Sequence, residues 1–166
     1  MTRITDVVAR RCPALLLALW ALPVMAAGAP EALWQLIDQL AAASTQGGKA
    51  VVSQWPGKSF SLSGADPIGS APLMLSPQLQ SSIAEVRLAD GDAVQLMVLE
   101  LQGSCITPTD LQVRYAQVRN ADFPQPDNPD PVSYRRVQID GVRVSFGFRG
   151  TPPGCLSHVV FNPQAR

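Results

Sequence analysis

Apolar residues recur at helical spacing near the start of the chain. Leu33, Ile37 and Leu40 lie three or four positions apart behind Pro30, a residue that suits the first turn of a helix. The spacing predicts a short amphipathic helix over residues 30–43. Its apolar stripe has to be covered by another part of the fold.

The pattern then changes to short apolar runs separated by turn residues. Runs at 50–52 and 60–62 predict short strands or extended segments. Further on, two β-prone runs at 83–89 and 93–101 flank Asp90–Asp92, whose central glycine favours a turn. These two runs predict a β-hairpin.

The second strand of this hairpin is apolar at almost every position. Between Val94 and Leu101, only Gln95 and Glu100 are polar. A strand of this kind is typical of the centre of a sheet that is covered on both faces. Glu100 would then be a carboxylate in a buried strand, which needs an ion-pair partner or a raised pKa.

A second helix is predicted after the hairpin. Thr107 can cap its start, Pro108 can take the first position, and Asp110 can lie in the positive first turn. We expect this helix to run to about residue 118. It would bury Leu111, Tyr115 and Val118.

The strongest local pattern lies near the C-terminus. Alternating apolar residues at 137–139 and 142–148 flank Asp140–Gly141, which predicts a two-residue hairpin turn. The expected register pairs Ile139 with Val142 and Val137 with Val144 on one face. The residues expected on the other face are Arg136, Gln138, Arg143 and Ser145. A last strand over 155–161 would complete a three-stranded meander.

Together these elements predict one α+β domain over residues 28–166. The sheet is mainly antiparallel, with two short helices, two helix-plus-meander units and one disulfide. A proline-rich acidic loop over residues 120–132 separates the second helix from the final meander.

The first 27 residues have the pattern of a cleaved secretory signal peptide. Arg3, Arg10 and Arg11 precede an apolar run over 14–22, and small residues follow. The run is too short to span a bilayer, and no later segment offers 18 consecutive apolar residues, so we expect no stable membrane insertion. The predicted location is the periplasm or the medium, with cleavage near residue 27.

Charge excludes two classes of partner. Removal of residues 1–27 leaves ten basic and twelve acidic residues. The mature chain therefore lacks the positive excess that nucleic acids and anionic membranes attract.

Two cysteines remain after cleavage, Cys105 and Cys155, because Cys12 leaves with the signal peptide. An even pair in an oxidising compartment predicts a disulfide. A redox-active pair is the alternative, but the two residues lack the Cys-X-X-Cys arrangement that activates a thiol.

No strong catalytic, metal or nucleotide motif is present, and no cofactor is expected. Gly57–Ser59 matches only the end of a phosphate-binding loop, because Val52 stands where that loop needs glycine. His158 lies inside a predicted strand, away from any recognised nucleophile motif. Glu100 and His158 remain the residues whose functional role the sequence leaves open.

Surface chemistry provides the functional hypothesis. Tyr134, Arg136 and Arg143 share or border the polar face of the meander, and arginine and tyrosine are enriched at protein interfaces. We therefore expect a non-enzymatic protein-binding module of the bacterial envelope, such as an inhibitor or immunity protein against a hydrolase or toxin. An envelope assembly factor and a small hydrolase with an unrecognised site are the alternatives.

Overall fold

The computed structural model of the protein describes residues 29–57, 60–121, 131–150 and 154–163. These residues form three helices: α1 (Ala29–Ser44), α2 (Gly48–Gln54) and α3 (Pro108–Arg114). They also form eight strands: β1 (Ile68–Ser70), β2 (Leu73–Ser76), β3 (Leu79–Leu88), β4 (Val94–Gly103), β5 (Arg119–Asn120), β6 (Val132–Ile139), β7 (Val142–Arg149) and β8 (Cys155–Asn162).

All of these strands belong to one antiparallel sheet. Its order is β1-β3-β4-β8-β7-β6-β5, and β2 also pairs with β3. The predicted α+β class with a mainly antiparallel sheet is confirmed. Pairing of β4 with β8 joins the first helix-plus-meander unit to the second, so both units share one sheet and one core.

The two faces of the sheet differ sharply in burial. The inner face supplies fully buried residues from three central strands, β4, β7 and β8: Met97, Leu99, Val144, Phe146, Val159 and Phe161. Trp34 of α1 makes an edge contact with Phe146, at 6.3 Å between ring centroids. Tyr115, at the end of α3, contacts both Trp34 and Phe146. The helices therefore cover the inner face, and the opposite side is called the outer face below.

The predicted meander hairpin is confirmed in its register. Ile139 pairs with Val142 and Val137 with Val144, across a turn in which Asp140 has φ 49° and Gly141 has φ 81°. Positive φ at both turn residues matches the twist of the flanking strands. The polar residues of the hairpin consequently lie on the outer face.

The helix predicted after the first hairpin begins as expected but ends early. Thr107 and Asp110 form reciprocal capping bonds at the start of α3, with Pro108 in the first turn. The helix ends at Arg114 and not near residue 118. Tyr115 leaves the helix because its ring packs on Trp34 and its hydroxyl donates to the Asp38 carboxylate at 2.8 Å.

One prediction for the first half of the chain is wrong, and for another only the strand alternative is excluded. Residues 50–52 are helical, within α2, because the turn after β3 caps this short helix from a distance. Gly48 N–H donates to the Asp92 carbonyl, and Lys49 N–H to the Asp92 carboxylate. This tertiary contact overrides the β preference of adjacent valines. Residues 60–62 form no strand, and the Phe60 ring packs edge-on against Trp55 at 4.8 Å.

The prediction that β4 is covered on both faces is also wrong. Val98 is half-buried and Glu100 is exposed, whereas Leu99 between them is fully buried. The helices pack on one face only, so the other face of β4 stays open. Glu100 therefore does not need a buried partner.

The predicted disulfide is confirmed. Cys105 and Cys155 are bonded with an S–S distance of 1.98 Å and lie 5.0 Å apart at Cα, joining the approach to α3 with the start of β8.

None of the helices in the described ranges is long and apolar enough to cross a membrane. The proposed signal peptide at 1–27 lies outside the described residues. The predicted loop at 120–132 is shorter by one residue at each end, because Asn120 ends β5 and Val132 begins β6. Residues 122–130 of that loop also lie outside the described part.

Candidate functional site

Four residues face one another in a line across the outer face. Glu100 of β4 pairs with His158 of β8, His158 pairs with Gly147 of β7, and Gly147 pairs with Tyr134 of β6. Cross-strand partners lie on the same face of an antiparallel sheet. We call this line the histidine row.

Gly147 makes the histidine row possible. A Cβ atom at this position would lie 2.2 Å from His158 Cε1 and 2.3 Å from Nε2. The imidazole therefore occupies the space that any other residue at 147 would fill. It crosses β7 to reach Tyr134 on the next strand, with a ring-centroid distance of 5.3 Å.

A bulge in β8 completes the network. The pairing of β7 with β8 shifts between Gly147 and Phe148, so Ser157 and His158 both lie near Gly147. Ser157 Oγ donates to the Gly147 carbonyl oxygen at 3.0 Å and lies 3.0 Å from His158 Nδ1. His158 Nε2 lies 3.0 Å from the Tyr134 hydroxyl.

These contacts determine the direction of each hydrogen bond around His158. A carbonyl can only accept, so Ser157 donates its single hydroxyl proton to the Gly147 carbonyl oxygen. Ser157 Oγ must then accept a proton from His158 Nδ1–H. Nε2 is left with a lone pair and accepts from the Tyr134 hydroxyl. The neutral imidazole thus satisfies both of its nitrogens.

The surroundings also favour the neutral imidazole. Burial lowers the pKa of His158 below its ordinary value, and the charge of Arg149 lowers the pKa further. The carboxylate of Glu100 acts in the opposite direction and is the weaker influence. Glu100, Arg149, Ser157 and His158 line a small cavity of about 160 Å³.

This arrangement lacks the geometry of a nucleophile and its base. The Ser157 proton is donated to a backbone carbonyl, so the imidazole does not accept it as a general base would. The free lone pair of Nε2 is taken by Tyr134. The network instead holds three polar side chains rigidly on the open face of the sheet.

A second line of paired residues crosses the outer face beside the first. It runs from β3 to β5 through register partners: Glu85, Val98, Val160, Ser145, Arg136 and Arg119. We call it the arginine row. One end is anionic, the half-buried middle consists of the apolar Val98 and Val160 and the small polar Ser145, and the other end carries two adjacent guanidinium groups.

The cationic end opens into a cavity of about 390 Å³. Arg119, Arg136 and Arg143 line it, together with the side-chain amides of Gln117, Asn120 and Gln138 and with Val137. Arg136 Nε is buried and has no hydrogen-bond partner within the described residues. Arg119 and Arg136 form no ion pair there either; the two ion pairs found in those residues join Arg87 to Glu85 and Arg114 to Asp38.

The structure therefore places the three predicted site residues in two different parts of the outer face. Arg136 and Arg143 line the same cavity, whereas Tyr134 binds His158 in the histidine row. Sequence reasoning missed Arg119, which β5 brings opposite Arg136. It also missed the contact of Tyr134 with His158, although the predicted hairpin register already places Tyr134 opposite Gly147. A glycine at that strand position indicates close approach by another group.

Another cavity, of about 650 Å³, is an open depression near Asp92 and Asp140. Asp92 is already used in capping α2, so this depression offers few free polar groups. Within the described ranges, no cluster of three or more histidine, cysteine, aspartate or glutamate residues could hold a metal ion.

No known family, no curated protein and no solved structure matches the chain.

Proposed function

We propose that the protein is an exported, non-enzymatic module that binds another protein on the outer face of its sheet, as an inhibitor or immunity protein does. The observation that carries this proposal is the cavity formed by Arg119, Arg136 and Arg143, in which the buried Arg136 Nε has no hydrogen-bond partner among the described residues. An acidic side chain of a protein partner is the chemical group that fits this cavity.

The arginines of the cavity destabilise the folded protein when no partner is bound. Arg119 and Arg136 are direct cross-strand partners, and like charges in that position destabilise a sheet. The unsatisfied Arg136 Nε adds a desolvation penalty of about 1–3 kcal/mol. A carboxylate accepting from two guanidinium groups would remove both penalties, and arginine forms such bonds in a planar, two-pronged geometry.

The rest of the outer face supports docking of a protein. Val98 and Val160 form an apolar centre, and charged side chains lie towards both ends of the arginine row. An apolar centre with a polar rim is the usual anatomy of a protein interface. The rigid network of the histidine row would present Tyr134 without a large loss of side-chain entropy.

Export is the second part of the proposal. The pattern of residues 1–27 favours a secretory signal, and the disulfide between Cys105 and Cys155 is typical of an oxidising compartment. The envelope is therefore where the partner should be sought.

The test is affinity capture from envelope extract with the parent and two variants. The variant Arg136→Ala/Arg143→Ala removes two charges from the cavity. The control Lys49→Ala/Arg114→Ala removes the same charge from the helix side. We expect the parent and the control to capture the same stoichiometric partner and the cavity variant to lose it. Equal capture by all three proteins would refute docking at the cavity, and co-purification with membrane assemblies would favour an assembly factor.

A further inference from the structure

The arginine row is chemically asymmetric about its middle. Glu85 lies on β3 and Arg136 on β6, and β8 lies midway between them in the sheet, two strands from each. Val160 stands on this middle strand, with Val98 beside it on β4. The row therefore carries a negative end, an apolar middle and a positive end.

We propose that a second copy of this chain docks on the outer face, related to the first by a two-fold axis parallel to β8. Rotation about this axis brings Glu85 of one protomer opposite Arg136 of the other, and the symmetry forms this pair twice. Val160 of each protomer meets its own copy at the axis. The inference rests on the proposed function only in that both use the outer face.

The spacing of the row fits this symmetry. Glu85 and Arg136 are separated by four inter-strand steps, which amount to about 19 Å. Because rotation preserves this separation, both ion pairs can form together. Two sheets that pack face to face keep their strands roughly aligned, as the axis requires.

The histidine row supports the same arrangement. One strand beyond its Glu100 end lies Ile83 on β3, which pairs with Glu100, and its other end is Tyr134 on β6. Ile83 is an exposed apolar residue, with 46% of its surface accessible. The two-fold axis places Ile83 of one protomer against Tyr134 of the other, so the dimer covers an apolar side chain that the monomer leaves in water.

The Glu85 carboxylate can accept a further hydrogen bond in the dimer. Glu85 already pairs with Arg87, but its side chain is 24% exposed, and a carboxylate can accept from two donors. In the dimer, Glu85 bridges Arg87 of its own chain and Arg136 of the second copy. Glu85 thereby supplies a carboxylate acceptor to Arg136, whose Nε has no hydrogen-bond partner among the described residues.

The dimer has a regulatory consequence. It covers the cavity to which the proposed protein partner binds, so self-association and partner binding exclude each other. Only five strands form the interface, which places its area at the low end for specific complexes. We therefore expect the dimer to have a dissociation constant in the micromolar range. A partner that binds more tightly can then displace the second copy.

Sedimentation equilibrium of the protein recovered from the periplasm tests the proposal, with charge reversal as the perturbation. We expect a concentration-dependent monomer–dimer equilibrium. Glu85→Arg and Arg136→Glu should each weaken the dimer at least about tenfold, because each places like charges together twice. The double variant Glu85→Arg/Arg136→Glu should restore the dissociation constant to within about threefold of the parent's, since the pairs re-form with reversed sign.

Matched controls guard against loss of folding. Lys49→Glu reverses a charge on the helix side and should leave the equilibrium unchanged, and circular dichroism should be the same for all variants. A protein that stays monomeric at every concentration, or a double variant as weak as the single ones, would overturn the dimer. Monomeric protein that still captures an envelope partner through the arginine cavity would leave the proposed function standing.

Discussion

Replacement of Gly147 by alanine is the sharpest test of how the histidine row is built. The new methyl group would lie 2.2 Å from His158 Cε1, 2.3 Å from Nε2 and 2.8 Å from Nδ1. Ordinary contacts between such atoms are about 3.5–4.0 Å, so the methyl group and the ring cannot both keep their places. Gly147 is in extended backbone that alanine also adopts, and strain therefore comes only from this collision.

The expected cost follows from the two possible responses. If the ring stays, overpacking costs about 1–3 kcal/mol. If the ring moves, the bonds of His158 to Ser157 and Tyr134 are lost, at about 1 kcal/mol each. Alanine has lower backbone entropy than glycine in the unfolded chain, and this difference offsets the cost by about 0.5–1 kcal/mol. We expect a net destabilisation of about 1–2 kcal/mol.

The assay is urea unfolding of the parent, Gly147→Ala, His158→Ala and the double variant. Without the imidazole the methyl group has room, so Gly147→Ala should be neutral or stabilising in the His158→Ala background. The two changes should couple by about 1 kcal/mol or more. Gly64→Ala serves as the control, because no atom lies within 4 Å of a Cβ at that position. An equal cost of Gly147→Ala in both backgrounds would refute the contact of the imidazole with Gly147.

Three further predictions concern processing, the disulfide and pH. Protein recovered from the periplasm should begin between residues 27 and 30 by intact mass, and retention of the first residue would exclude cleavage. The unfolded, unreduced mature chain should not react with a thiol label, because Cys105 and Cys155 are bonded; two equivalents of label would contradict the disulfide. The folded pKa of His158 lies below its unfolded value, so the unfolded chain binds the proton first, and stability should fall as pH drops below about 6.5. His158→Gln should lose less unfolding free energy than the parent over that range, and NMR titration of the single imidazole should give a midpoint below about 6.5.

The meander was predictable from the sequence because its determinants are local. Asp140–Gly141 fixes a two-residue turn, and alternation on both sides then fixes the register of the pair β6–β7. The disulfide was predictable for a different reason, since only two cysteines remain after the proposed cleavage. The capping residues around Thr107 likewise act within a few positions of one another.

The elements that failed depend on contacts between distant residues. The helix over residues 48–54 is capped by Asp92, which lies more than 40 positions away in the sequence. The residues around Val51 alone therefore do not predict this helix. The exposure of Glu100 depends on which face the helices cover, which periodicity alone does not determine. A run of mainly apolar residues fits a doubly covered strand and a singly covered one equally well.

The candidate site was only half predictable. Arg136 and Arg143 share a face by hairpin register, but Arg119 joins them through β5, a two-residue strand with no β pattern of its own. The contact of His158 with Tyr134 requires three adjacent strands and a bulge at Ser157. Polar residues from separate strands meet only when the order of the whole sheet is known.

The claim that the outer face binds a protein is tested most directly by photo-crosslinking in the living cell. A photoreactive residue at Ser145 lies between Arg136 and Val160 in the arginine row, and one at Val113 serves as an exposed control on α3. Besides an adduct between two copies of the chain, we predict one discrete adduct with a different protein from position 145, none from position 113, and loss of the adduct with the different protein when Arg136→Ala/Arg143→Ala is added. The same adducts from both positions, or an adduct with the different protein that survives removal of the two arginines, would contradict the account.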